Sequence, residues 1–86
     1  MPPIQGDLPI QEYFKLFETF IAVLGANKDN PILKIIFIDG LSEENKKEVR
    51  EIPFGAVRPI ENIVAYLAIV EDFKRTIFGA GEYKHN

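Results

Sequence analysis

Between Ile32 and Ile38 the chain reads ILKIIFI, seven positions with one polar side chain, Lys34. No other stretch constrains the fold as tightly. One side of a helix needs three or four apolar residues per two turns to meet a core. Leu33, Ile36 and Phe37 fall at i, i+3 and i+4 and fill that face, which leaves Ile32, Ile35 and Ile38 pointing roughly the other way. Burying each is worth about 1.5–3 kcal/mol relative to leaving it in water. Three together form a patch that soluble monomers seldom expose without a use. Two arrangements satisfy the pattern. Either the helix is threaded through the middle of a bundle and covered on both sides, or its outer face pairs with the same face of a second copy in an isologous dimer. The run is also rich in β-branched residues, so a buried strand is the alternative to a helix. The flanks favour the helix: Asn30 can cap it, Pro31 fits its first position and Gly40 fits its stop.

Three further helices are expected around this one. Residues 9–24 carry Ile10, Phe14, Phe17, Ile21 and Leu24 at helical spacing, with Tyr13, Leu16 and Phe20 widening the stripe. Pro9 suits the first turn and Gly25 suits a left-handed stop. In LSEENKKEVREI, Ser42 caps a charged helix anchored only by Leu41, Val49 and Ile52. Residues 53–59 read as a loop. A long last helix over residues 59–78 places Ile60, Ile63, Val64, Leu67 and Val70 on one face, with Tyr66, Ile69, Phe73 and Ile77 round the side. The expected fold class is all-α, a small compact bundle of four main helices. Residues 1–78 form one helical domain and residues 79–86 a flexible, disordered tail.

Composition bounds the chemistry. At 86 residues there is room for one core. The net charge of −3 comes with both signs mixed and no basic stripe, which argues against direct nucleic-acid binding. Without cysteine there is no disulfide, zinc knuckle or thiol chemistry, which fits an intracellular origin. No apolar stretch approaches the ~18–20 residues that span a bilayer, so no membrane partner is expected. The opening MPPIQG looks like a methionine placed on a segment of a larger protein. His85 and Ser42 are the only histidine and the only serine, so no histidine-based triad or metal cluster forms, and a helix cap explains the serine. The pairs Glu43/Glu44 and Glu71/Asp72 are sequence neighbours, which diverge by about 100° on a helix and do not converge on a reacting group. Neither an enzyme nor a cofactor is expected.

The stretch IQGDLPIQEYFKLFETF resembles the major homology region that opens the capsid C-terminal domain of retroviral and retrotransposon Gag proteins. Gln5, Gly6, Ile10, Tyr13, Phe14 and Phe17 match that motif. NPILKIIFIDGL resembles the second helix of that domain with its F-x-x-G-L ending, SEENKKEVREI the short third helix and PIENIVAYLAIVEDFKR the last, so the resemblance covers almost the whole chain. The motif usually has a glutamate soon after Gln-Gly and an arginine before its final aromatic. Here Asp7 and Leu16 stand nearest, so its polar network is expected to shrink to Gln5, the Gly6 turn and backbone bonds. That points to a retrotransposon or a domesticated Gag of the neuronal Arc type.

The resemblance implies a non-enzymatic capsid assembly domain, cytoplasmic or within virus-like particles, that homodimerises and links subunits of a shell. The dimer interface it implies is Lys28, Ile32, Ile35, Ile38 and Asp39. The implied partners are other copies of the chain in a higher-order capsid lattice, and the capsid N-terminal domain of the same or a neighbouring subunit, met by the charged third helix. A merely solvated face is the other reading of those charges. The competing function is a monomeric helical adaptor that takes a partner peptide or helix in an apolar groove lined by the 55–59 loop and the second helix.

Overall fold

The computed structural model describes residues 1–53 and 58–84, with side chains described as far as Ile77. Four helices follow one another: α1 (Ile10–Leu24), α2 (Pro31–Asp39), α3 (Glu43–Glu51) and α4 (Ile60–Lys84). No strand occurs among the described residues. The chain is thus an all-α bundle, and ILKIIFI is helical.

Local chemistry sets most of the boundaries. The Asn30 side-chain oxygen accepts the Ile32 N–H at 2.9 Å, with Pro31 in the first helical position. Ser42 Oγ accepts the Asn45 N–H at 3.3 Å and starts α3. Gly25 ends α1 at φ 68°, its N–H on the Ala22 carbonyl while the Ala26 N–H reaches Ile21, each at 3.2 Å. This pairing satisfies two carbonyls that the helix end would otherwise leave open.

Phe37 is the hub of the core. Its ring lies 5.1 Å from Tyr13 in a stacked arrangement, 5.0 Å from Phe17 edge-on and 6.2 Å from Phe14 edge-on. Such aromatic pairs add about 0.5–1.5 kcal/mol beyond the area they bury. Leu33 from α2, Leu41 and Val49 from the α3 region, and Ile60, Ile63, Val64 and Leu67 from α4 complete the buried cluster. The start of α1 meets Glu71, while Lys28, beyond its end, meets Glu61, so α1 and α4 run antiparallel.

Several expectations need correction. Leu16 and Leu24 are exposed, not part of the α1 core stripe. Leu16 lies outside the arc swept by Ile10, Tyr13, Phe17 and Ile21, and Leu24 lies in the last turn, where nothing covers it. Gly40 does stop α2, as expected, with a right-handed φ of −82°. It is glycine because of close approach: a Cβ there would collide with the Tyr13 hydroxyl and sit 2.7 Å from the Pro3 carbonyl. The last helix, expected to end at residue 78, continues to Lys84. Glycine weakens a helix by only about 1 kcal/mol against alanine, and no proline interrupts hydrogen bonding there. Residues 85 and 86, and 54–57 of the expected loop, lie outside the described residues. At 25 residues α4 is about 37 Å long, which accounts for most of the 49 Å long axis.

Candidate functional site

Two features stand out: a buried polar clasp at the N-terminal turn, and the outer face of α2.

The clasp is built on Gln5, almost fully buried. Its backbone N–H donates to the Gly40 carbonyl at 2.7 Å, and Gly6 turns the chain at φ 53°. Gln5 Oε1 accepts from the Ser42 N–H at 2.9 Å and from Asn45 Nδ2 at 3.1 Å. Gln5 Nε2 donates to the Leu8 carbonyl at 2.9 Å and to Glu71 Oε2 at 3.0 Å. Asn45 Nδ2 also donates to Glu71 Oε2, at 2.9 Å, while Glu71 Oε1 accepts the Ile10 N–H at 2.9 Å. Pro9 offers α1 no side-chain cap, so a carboxylate from α4 caps it, where the helix dipole favours negative charge. Among the described residues no buried side-chain nitrogen or oxygen lacks a partner, as a buried polar group must be paired to be tolerated.

The expected reduction of this network to Gln5, Gly6 and backbone bonds is therefore wrong. Asn45 and Glu71 complete it. A signal for both exists: Asn45 continues the line of Leu41 and Val49, and Glu71 that of Ile60, Val64 and Leu67. A polar residue on an apolar helical line is a candidate for a buried hydrogen-bonded role. Of the other motif residues, Ile10, Tyr13 and Phe17 are fully buried and Phe14 packs half-buried against them. The Tyr13 hydroxyl donates to the Phe37 carbonyl at 2.8 Å, one of the last acceptors of α2. Burial, and then the nearby Asp39 carboxylate, push its pKa up to about 12.

On α2, Leu33 and Phe37 face the core and Ile36 packs half-buried against it. Ile32 and Ile35 remain 62% and 67% exposed on the outer face. Ile38 is half-buried against the core, because the turn at Gly40 brings α3 back beside it. It therefore belongs to the outer patch only in part. Ile35 and Ile38 border a groove of about 540 Å³ that also involves Lys28, Pro59 and Glu61. On the other side they share a depression with Asp39, Glu43, Lys46 and Arg50. Lys28 Nζ lies 3.9 Å from Glu61 Oε1, both side chains exposed. The suspected interface residues are thus contiguous, with an apolar centre and a charged rim.

The described residues hold no group of three or more histidine, cysteine or acidic side chains placed to bind a metal. No described helix is long and apolar enough to cross a membrane. Comparison with protein-family models, with curated proteins and with solved structures finds no match to this chain.

Proposed function

We propose that this chain is a non-enzymatic assembly domain of the Gag capsid type, acting in the cytoplasm or in virus-like particles and homodimerising through the outer face of α2. The observation that carries the reading is the exposure of Ile32 and Ile35 on a helix whose opposite face is already committed to the core through Leu33 and Phe37. The rim supports it. Lys28 and Asp39 are exposed beside the apolar centre and bear opposite charges, so two copies related by a two-fold axis can meet without like-charge contact. The Gln5 turn, tied to Ser42, Asn45 and the Glu71 carboxylate that caps α1, is consistent with the major-homology resemblance. Two isoleucines per copy offer little area against the cost of association, so the α2 contact is weak and reversible.

Sedimentation equilibrium across a wide concentration range tests this on the chain and on Ile35→Asp. A clear reduction in self-association on substitution, with helical circular dichroism retained, is the expected result. An association unchanged by it removes α2 as the interface. The groove of about 540 Å³ beside Ile35 and Pro59 favours a second reading, a monomeric adaptor for a partner peptide or helix. That reading gains if neither chain associates at millimolar concentration.

A further inference from the structure

The outer face of α2 is not the largest apolar surface left open. Along α4, Tyr66, Ile69, Phe73 and Ile77 are 40%, 69%, 64% and 49% exposed. At about 100° per residue they form one strip, turned roughly 130° from the buried line of Ile63, Val64 and Leu67. The strip covers three helical turns and runs onto the part of α4 that continues past Glu71, the residue capping α1. Ile69, Phe73 and Ile77 also line a cleft of about 460 Å³ whose polar edge is Glu48 and Lys74, paired at 3.3 Å.

We infer that this strip is a second self-association surface, taken by the same strip of another copy across a two-fold axis. The area suits a weak contact with a second copy. With aromatic side chains of roughly 150–250 Å² and somewhat smaller isoleucines, the exposed parts come to about 400 Å² per copy. A pair then removes about 800 Å² of apolar surface before flanking residues are counted, which suits a weak, reversible interface. The rim fits as well. Glu48 and Lys74 stand side by side, so a two-fold axis that crosses the pair sets a lysine against each glutamate, whereas a partner of one charge sign meets repulsion from one of them. A lipid surface selects a Lys- and Arg-rich polar face, but the described part of α4 sets Glu61 and Asp72 against Lys74 and Arg75.

The consequence is propagation. A single isologous contact closes at a dimer, whereas two different ones on one chain alternate and extend. This extension rests on the α2 contact proposed above; the α4 contact itself does not.

Sedimentation equilibrium on four chains separates the two: the unmodified chain, Ile35→Asp, Phe73→Asp and the double variant. The unmodified chain is expected to form species larger than a dimer, each single variant to stop at a dimer, and the double variant to stay monomeric. A monomeric Ile35→Asp beside a dimeric Phe73→Asp overturns the α4 inference and leaves α2 standing. The reverse pattern upholds α4 and removes α2. Helical circular dichroism guards against a folding defect: a Phe73→Asp chain that keeps its helix content yet associates as the unmodified chain does overturns the strip contact.

Discussion

The aromatic cluster around Phe37 and the polar clasp around Glu71 both hold α1 in place, but by different physics. The cluster works by area and shape. Tyr13, Phe14 and Phe17 surround one ring, and a neighbouring side chain that shifts slightly still excludes water. The clasp works by direction. One carboxylate satisfies Gln5, Asn45 and the backbone of Ile10 at 2.9–3.0 Å, and each bond is lost outright if the geometry fails. Apolar packing therefore supplies most of the stability, while the clasp specifies where α1 begins and which end of α4 it meets.

The strongest way to break this contrast is Phe37→Ala, which removes the hub and leaves a cavity. A loss of about 3–5 kcal/mol is expected, a large share of the stability of a small domain, and urea unfolding measures it. Glu71→Ala comes next, at about 1.5–3 kcal/mol, because it leaves the Ile10 N–H without its acceptor and removes bonds to a charged group. Glu71→Gln keeps the shape and one oxygen that can still accept the Ile10 N–H, so the test falls on Glu71→Ala: amide hydrogen exchange at Ile10 should rise there, and a protected Ile10 would refute the capping role. Tyr13→Phe touches both regimes by keeping the ring and deleting the bond to the Phe37 carbonyl, for about 1 kcal/mol. The folded pKa of Tyr13, about 12, lies above the ordinary value near 10, so the folded state holds its proton longer than the unfolded one. The stability this contributes is fully present below pH 10 and is lost as pH rises from 10 to 12. Resistance of the unmodified chain to unfolding should weaken across that window, and Tyr13→Phe should flatten the decline. The smallest effect is expected for Lys28→Ala, whose exposed ion pair with Glu61 contributes well under about 1 kcal/mol. Its unfolding midpoint should hardly move.

The two regions were not equally legible in the sequence. Tyr13, Phe17 and Phe37 follow helical periodicity, and the caps at Asn30 and Ser42 and the stop at Gly25 are local chemistry, readable within four residues. The surplus of Ile32 and Ile35 was likewise visible, because a helix short of polar residues cannot hide them all. The partners of Glu71 were not. Its place on the apolar line of Ile60, Val64 and Leu67 marks it for a buried polar role, but it stands 66 positions from Gln5, and nothing local says which helix end a distant carboxylate will cap. Gly40 was readable as the stop of α2, but not as the place that admits the Tyr13 hydroxyl.

By itself, then, the sequence determined the all-α class, the starts of α2 and α3, the end of α1 and the faces that seek a core, because periodicity and capping depend on residues within a turn or two of one another. Tertiary structure alone decided which polar residues meet in the clasp, why Gly40 has no side chain, how far Ile38 withdraws from the surface and which apolar strips stay uncovered. Those depend on distances between helices, which the order of residues along the chain does not contain.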